Sequence, residues 1–462
     1  MAYFGKKLKY NIEPGEIIKI GEGENTFLTP FEIKKSESVY SRNLSSKNFP
    51  AMSVRDGKVK SFGTGTSAIA TQNGLSAYNN TYPHIVDGTV WKRWNGSAWQ
   101  TVASSLANTT AKFLEFNTES KRYMVMVNGT DKKAWDGSSV TDLTDGPATK
   151  LYVVDDYRLY GLVGSVLKCS AEGSVTDWTT AGDADSIAIT GMVGVGTAIA
   201  ALNDNVFCWS DQTMHVLMGN DYEDWTFSDP MGVGCISDRS VLVHGRNLYF
   251  LDYGKYCILD GFTPIEISQK VKTYLEAIPA TYKALCCAGK SGKYIYLSIP
   301  YGAVRNNNLT LEFDTELGLW YPHDIGFLDF VNIGDYLYGI DTSGVIWRVN
   351  SGTDDGGTAI SWNWTSGCWM EGAIREKKVI SDFWIVADLP VASTMKMYYS
   401  TSVDNDDFVE LYEFTGNANE QNTRVQVPTT ALQNINWYRI RFTGTGPCTI
   451  HYVNPILRVK AR

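Results

Sequence analysis

The chain has 462 residues, 44% of them hydrophobic, which is enough for a large core and suggests two or three domains. Its formal net charge of −9 argues against a nucleic-acid binder held by phosphate contacts, because such a protein needs a basic surface. No apolar run approaches the roughly 18–20 residues that span a bilayer, and the N-terminus lacks the apolar core of a signal peptide. We therefore expect a soluble protein without a membrane anchor, made in a cytoplasm.

Residues 1–60 differ in composition from the rest of the chain. Breakers recur at Glu13-Pro14-Gly15, Gly21-Glu22-Gly23 and Thr29-Pro30, and residues 32–37 are mostly charged. This pattern predicts an extended N-terminal arm with a few short strands, which either wraps its own domain or reaches a neighbour.

The stretch from Gly234 to Gly261 shows most clearly how the middle of the chain is organised. Its apolar runs cover 240–244, 248–251 and 256–259, and Gly, Asn and Asp residues separate them. Short runs joined by two to four residues predict an antiparallel meander, since parallel strands need a longer connection. One meander cannot bury both of its faces, so it should stack on others like it, as propeller blades do.

Similar strand-and-turn units recur from about residue 65 to 350, at the roughly 40–50-residue spacing that is typical of propeller blades. We therefore predict an all-β fold in which residues 61–352 form a β-propeller of about six blades, with five or seven as alternatives. The segment 266–278 places Ile267, Val271, Leu275 and Ile278 at helical spacing before Pro279. It predicts a helix that packs between two blades or, alternatively, contacts another subunit.

The composition of residues 351–357 indicates a linker, and the pattern changes beyond it. About seven alternating strands follow, and Met395, Met397 and Tyr399 alternate with Lys396 and Tyr398 as one buried face requires. Residues 358–462 are therefore predicted to form a C-terminal β-sandwich.

The histidines and glycines offer little for catalysis. The five histidines are isolated in the sequence, and His215 and His244 lie in apolar strands, where we expect hydrogen-bonded core or rim residues. The glycine-rich stretch 191–196 lacks the Lys-Ser/Thr pair of a phosphate loop, so it predicts a turn. We predict no catalytic, cofactor-binding or metal-binding residue, and a protein that is not an enzyme.

Propellers also host glycosidases, which need two carboxylates that face a central channel. Plausible turn acids are present, but none has a distinctive context: Asp155, Asp156, Asp183, Asp185, Asp221 and Asp224. The acidic cluster Asp404–Asp407 favours a turn, with a Ca²⁺ site as the alternative because calcium prefers oxygen ligands.

Tryptophan and cysteine residues leave two further alternatives. Strand tryptophans that could stack on sugar rings are more often core residues, and four are available here: Trp362, Trp364, Trp369 and Trp384. The eight cysteines contain no CxxC pair, which favours buried thiols over a zinc site or a disulfide framework: Cys169, Cys208, Cys235, Cys257, Cys286, Cys287, Cys368 and Cys448.

Several motifs of the chain resemble those of one protein family. They lie at 41–44 before Phe49-Pro50, and at 143–148, 156–160, 168–170, 176–178, 187–189, 232–237, 247–251 and 260–264. Together with the order of arm, propeller and sandwich, they resemble the tail nozzle and packaged-DNA stabilisation proteins of short-tailed phages. Related propeller proteins of other phage tails are similar too.

The resemblance implies a structural virion component that is assembled in the host cytoplasm. Copies of the chain would form a ring, commonly a hexamer, that extends the DNA channel below the portal and helps to retain and release packaged DNA. The implied partners are the portal or adaptor and other tail proteins, with double-stranded DNA passing without specific binding. A position at the baseplate or tail tip is an alternative, and so is a carbohydrate-binding receptor-recognition protein or a propeller glycosidase.

Overall fold

A computed structural model of the chain describes residues 10–63, 74–155, 157–219, 224–403, 407–416 and 423–460. The described residues form two compact units. The sandwich unit comprises Met1–Lys58, Glu316–Asp324 and Asn350–Arg462, and the propeller unit comprises Val59–Thr315 and Ile325–Val349. None of the helices in these described ranges has the length and hydropathy that a membrane crossing requires.

Within the described part of the propeller unit, seven small antiparallel sheets follow one another along the chain, and we call them blades 1 to 7. Blade 1 consists of Leu75–Tyr78, Tyr82–Asp87, Val90–Trp94 and Trp99–Ala103, and blade 2 consists of Lys112–Asn117, Arg122–Val127, Lys132–Trp135 and Val140–Asp142. Blade 3 consists of Tyr152–Asp155, Arg158–Val163, Val166–Cys169 and Asp185–Ala188, and blade 4 consists of Ala198–Leu202, Asn205–Trp209, Met214–Met218 and Thr226–Phe227.

Blade 5 consists of Leu242–His244, Asn247–Asp252, Lys255–Asp260 and Thr263–Glu266. Within this unit, blade 6 consists of Cys287–Ser291, Tyr294–Ile299 and Leu309–Asp314. Blade 7 consists of Asp329–Ile333, Tyr336–Ile340 and Ile346–Val349, and Lys58–Ser61 adds its outer strand.

Blade 5 shows why the sequence folds in this way. His244 pairs with Asn247 and Asp252 pairs with Lys255, so each connection is a two-residue hairpin loop. Gly245 has φ +62° and Gly254 has φ +67°, a backbone conformation that glycine adopts without strain. The meander predicted for 240–259 is therefore confirmed, with a fourth strand at Thr263–Glu266.

Apolar clusters between neighbouring blades hold the propeller together. Blade 1 supplies Leu75 and Ile85 to one such cluster, and blade 7 supplies Tyr338 and Ile340 to the same cluster. The last blade in sequence therefore packs on the first, and the strand Lys58–Ser61, which precedes blade 1, completes blade 7. This overlap of the two ends of the unit closes the ring.

The sandwich unit contains two antiparallel sheets. Its five-stranded sheet has the order Ser38–Arg42, Ser361–Ser366, Arg439–Thr445, Thr394–Ser400 and Val409–Thr415. Its other sheet has the order Leu44–Ser45, Met52–Val54, Thr449–Lys460, Lys378–Asp388 and Thr423–Pro428, with Tyr10–Pro14 and Gln433–Ile435 paired off this path. The strand Leu319–His323 also lies in this unit, and Leu319 and Tyr321 belong to its core.

The structure bears on the expected arm and on the number of blades. The described residues of 1–60 contain short strands, and Tyr10–Pro14, Ser38–Arg42 and Met52–Val54 pair with C-terminal strands of the sandwich unit, which corresponds to the alternative of an arm that wraps its own domain. The propeller has seven blades where about six were expected. First strands begin at residues 75, 112, 152, 198, 242, 287 and 329, so five of the six spacings fall within the expected 40–50 residues and one is 37 residues.

The helix expected over 266–278 is much shorter. A 3₁₀ turn spans Gln269–Val271, an α-helix spans Lys272–Glu276, and a second 3₁₀ helix spans Ala280–Leu285. Glu266 still belongs to the last strand of blade 5, and Ile267 donates its N–H to Tyr256 O as the sheet ends. The apolar spacing that suggested a long helix therefore includes one end of a strand.

Candidate functional site

The centre of the propeller is a channel lined by the first strands of all seven blades. It encloses a cavity of about 440 Å³, whose lining includes Ser76, Leu114, Val153, Ala200, Val243, Ala288 and Val331. Propeller enzymes would need converging functional side chains in such a channel. The charged residues that line this one are Lys112, Asp238, Arg239 and Asp329.

Two of these four residues come from the 3₁₀ turn Asp238–Ser240, which leads into blade 5. Hydrogen bonds fix the turn to blades 5 and 6. Ser237 Oγ donates to Cys286 O at 2.7 Å, and Ser240 Oγ donates to Ser237 O at 2.6 Å while it accepts from Leu251 N at 3.2 Å. The turn is therefore a fixed part of the channel end.

Asp238 connects this turn to blades 2 and 4. Its Oδ2 atom lies 2.6 Å from Nζ of Lys112, and its Oδ1 atom accepts a hydrogen bond from the Ile199 N–H at 3.0 Å. Both side chains of the ion pair are largely buried, with 13% and 22% exposure. Each carboxylate oxygen of Asp238 thus already has a donor.

Arg239 connects the same turn to blades 2 and 7. Its Nη1 atom lies 2.6 Å from Oδ2 of Asp329, and its Nη2 atom donates to Ala111 O. Asp329 also accepts from the Leu75 N–H of blade 1 and from the Phe330 N–H, both at 3.0 Å. Burial raises the pKa of the Asp329 carboxyl, and the positive charge of Arg239 opposes that rise.

These contacts form one ion-pair cluster, Lys112–Asp238 and Arg239–Asp329, which we call the channel clasp. Through it the turn before blade 5 is joined to blades 1, 2, 4 and 7. A carboxylate that already accepts from a cation and from backbone amides is poorly placed to act as a general acid or nucleophile on a sugar. The arrangement is suited to holding the blades in place.

A second cavity lies beside the channel clasp and has a volume of about 490 Å³. Lys112, Asp238 and Arg239 line both cavities, so the clasp stands between them. The remaining lining comes from segments that precede the first strands of blades 2 to 6, including Thr110, Lys150, Thr197, Ile236 and Lys283. This cavity therefore lies at the end of the channel where the first strands begin.

The histidines lie apart from the channel clasp. His215 is a fully buried core residue, as expected, and burial lowers its pKa while a backbone hydrogen bond with Ser228 opposes that shift. His244 is half-buried at the end of the first strand of blade 5, where burial, and then the charge of Lys290, lower its pKa.

The turn acids considered for a glycosidase do not converge on the channel either. Asp155 ends the first strand of blade 3, while Asp183 pairs with Arg158 at 2.7 Å and Asp185 begins the outer strand of the same blade. Asp224 is exposed in a turn. Asp156, Asp221 and Asp404–Asp406 lie outside the described residues, and so does most of the acidic cluster considered for Ca²⁺.

The tryptophans and cysteines are mostly core residues. Trp362, Trp364 and Trp369 belong to the core of the sandwich unit, as expected, whereas Trp384 is 38% exposed. The prediction of buried thiols is confirmed, because all eight cysteines are free and buried. The turn expected at 191–196 is confirmed too, with positive φ at Gly191 and Gly194. Across the described ranges, no three His, Cys, Asp or Glu side chains are grouped closely enough to hold a metal ion.

Sequence reasoning missed the channel clasp. Asp238 and Arg239 stand in the stretch that predicted the meander, directly before an apolar strand, but adjacent opposite charges in a loop look like solvated surface residues. Their partners Lys112 and Asp329 are 126 and 90 residues away, so no local pattern links them. Only the position of Lys112 and Asp329 could have indicated the cluster, because each of them begins the first strand of a blade.

The chain matches no protein-family profile and no curated protein. It is similar in structure to several solved proteins at low sequence identity. A chain of the mitotic checkpoint complex has a TM-score of 0.45 and 11% identity over 64% of this chain and 93% of that one. BamB from Moraxella catarrhalis has a TM-score of 0.41 and 9% identity, over 67% and 97% of the two chains. The extracellular domain of the two-component system BT3049 from B. thetaiotaomicron has a TM-score of 0.44 and 8% identity, over 79% and 48%.

Proposed function

We propose that this protein is a non-enzymatic structural subunit of a phage tail. In this role copies of the chain form a ring, a nozzle or hub, that extends the DNA channel below the portal. The ring helps to retain packaged DNA and to release it on ejection. The partners would be further copies of the chain, in a hexamer by resemblance to the nozzle family, together with the portal or adaptor and other tail proteins.

The observation that carries this proposal is the channel clasp. The channel is where a propeller enzyme would gather its reactive groups, and here the clasp's two carboxylates are paired with Lys112 and Arg239 and with backbone amides. Ion pairs to blades 2 and 7 and hydrogen bonds to blades 1 and 4 favour mechanical rigidity over chemistry. Rigidity is what a conduit under the pressure of packaged DNA requires.

The clasp also bears on where DNA would pass. Because the turn Asp238–Ser240 stands between two cavities at one end of the channel, a double helix would have to pass between subunits and not through one propeller. The net charge of −9 suits such a wall, since an acidic surface repels phosphates and keeps DNA from adhering during exit.

Further support comes from the motifs that resemble the nozzle and packaged-DNA stabilisation proteins, at 143–148, 232–237, 247–251 and 260–264 among others. The carbohydrate-binding alternative has less support. Three of its four candidate tryptophans are buried, and the acids of the channel are already paired.

The proposal can be tested on phage particles whose genome encodes this chain. We expect mass spectrometry of purified virions to detect the protein in several copies, and gold-labelled antibody to mark the tail. Light scattering of the purified chain should show a ring-sized oligomer, alone or with the portal or adaptor. A protein absent from particles that hydrolyses or binds sugars on a glycan array would contradict the proposal.

A further inference from the structure

The cavity of about 490 Å³ beside the channel clasp is rich in positive charge although the chain is acidic overall. Four cationic side chains line it, Lys112, Lys150, Arg239 and Lys283, against one carboxylate, that of Asp238. Lys112 and Arg239 are held by the carboxylates of the clasp. The positive charge of the two remaining lysines is therefore in excess.

Lys150 and Lys283 have little compensation nearby. Lys283 Nζ lies 4.0 Å from Asp211 Oδ2, at the limit of an ion pair, and 5.1 Å from the centre of the Tyr253 ring. Within the described residues, Lys150 Nζ has no carboxylate at ion-pair distance. Lys150 is an exposed residue at this cavity, where partial loss of hydration, and then the positive charge of Arg239, lower its pKa, so an anion placed between the two cations would relieve their repulsion.

The rest of the lining combines apolar residues with the hydroxyl-bearing Thr110, Thr197 and Ser237. Leu151, Ile236 and Leu285 contribute hydrocarbon surface beside the cationic groups. A volume of this size falls within the range of small-molecule sites, which combine apolar walls with a few charged groups. Apolar walls with an excess of positive charge match a molecule that joins an anionic group to a hydrophobic body.

We propose that this cavity binds a small organic oxyanion, with the anionic group between Lys150, Lys283 and the clasp residue Arg239 and the hydrophobic body against Leu151 and Leu285. Such a ligand would sit at the end of the channel where the blades begin and would join the segments that precede blades 3, 5 and 6. This inference does not depend on a role in a phage tail.

Isothermal titration calorimetry of the full chain at low ionic strength tests the proposal with three probes. Phenyl phosphate should bind, inorganic phosphate should bind at least about tenfold more weakly, and phenol should not bind at millimolar concentration. Raising the NaCl concentration should weaken the binding of phenyl phosphate, because salt screens the charges. Equal affinity for phosphate and phenyl phosphate would overturn the assignment of an organic ligand.

Variants locate the binding. K150M/K283M should weaken phenyl phosphate binding at least about tenfold, since each lysine supplies a charge-assisted hydrogen bond. K168M, which removes an exposed lysine on the third strand of blade 3, should leave it unchanged. Circular dichroism verifies the fold of each variant, and the single variant K150M serves if the double variant unfolds. No binding to the unmodified chain, or unchanged binding in a folded K150M variant, would overturn the proposal.

Discussion

The Nη1 atom of Arg239 lies 2.6 Å from the Oδ2 atom of Asp329, although the two residues are 90 positions apart. This ion pair joins the turn that leads into blade 5 to the first strand of blade 7. Because Asp329 also accepts the Leu75 N–H of blade 1, the pair reaches the point where the ring closes. It should therefore contribute to the stability of the whole propeller.

Replacing Arg239 by Met should lower the free energy of unfolding by about 3 kcal/mol, because a largely buried carboxylate loses its cation. Urea unfolding followed by tryptophan fluorescence measures the change. The control R246M alters an exposed arginine in a hairpin loop of blade 5 and should change little. R239M/D329N should recover part of the loss, and a double variant no more stable than R239M would argue against a direct pairing.

Lys58–Ser61 forms the outer strand of blade 7 although it lies far from that blade in sequence. Substitutions in this strand should therefore destabilise the propeller. V59P/K60P removes two consecutive backbone N–H groups, of which one should belong to the sheet, and should destabilise the propeller by about 3 kcal/mol. Hydrogen exchange should show lost protection in Ile346–Val349, while V59A/K60A keeps the N–H groups and most of the protection. Unchanged exchange in the proline variant would mean that this strand does not close the ring.

His84 predicts how the stability of the propeller depends on pH. It is fully buried and accepts a hydrogen bond from Trp91 Nε1 at 2.9 Å, and burial, with a smaller effect of the Arg93 charge, lowers its pKa to about 3. The neutral form is therefore favoured in the folded state. Its contribution is fully present above the unfolded pKa of 6.5 and is lost as the pH falls from there toward 3.

This site should account for about 2 kcal/mol of lost stability between pH 7 and pH 5. Melting temperatures measured across this range for the unmodified chain and for H84Q should show a flatter slope in the variant. T101Q, which replaces an exposed residue on the outer strand of the same blade and removes no titratable group, is the control and should keep the slope. An unchanged slope in H84Q would show that His84 is not the group responsible.

Asp341 stabilises the turn before the third strand of blade 7. Its Oδ1 atom accepts from the Ser343 N–H at 2.9 Å and the Val345 N–H at 3.1 Å, and its Oδ2 atom accepts from Trp347 Nε1 at 2.6 Å. D341A should therefore lower the free energy of unfolding by about 2 kcal/mol, as the donors lose an ionised acceptor. D335A, in the preceding exposed loop, should change the same urea midpoint very little.

The eight buried thiols should be unreactive in the native protein. Burial raises the pKa of Cys257 to about 12 and that of Cys368 to about 11, which leaves little thiolate at neutral pH. We expect Ellman's reagent to detect almost no thiol in the folded chain and eight in urea. A fast-reacting thiol in the native protein would contradict the burial of at least one cysteine.

The strands of the propeller could be predicted from the sequence because their signals are local. In blade 5, apolar runs alternate with Gly245-Arg246 and Tyr253-Gly254, which leaves little alternative to a meander. The number of blades was predicted less accurately than the strands. The outer strand of blade 7 comes from Lys58–Ser61, and no local pattern connects that segment to Ile346–Val349.

The sandwich and the channel clasp illustrate the same limit. Met395 and Met397 are buried and flank the less buried Lys396, so alternation was enough to predict that sheet. The partner of Ser38–Arg42 is Ser361–Ser366, and the partner of Arg239 is Asp329. These pairings join segments that lie tens to hundreds of residues apart, and no local stretch of the sequence indicates which segments will pair.

Electron cryo-microscopy of particles of a phage whose genome encodes this chain is the most decisive experiment for the proposed role. We expect a ring of copies around the DNA path, with Arg239 and Asp329 in contact within each propeller and no DNA density inside the propeller's own channel. Tails that lack the chain, or propellers in which unpaired channel carboxylates contact a bound sugar, would refute the proposed role.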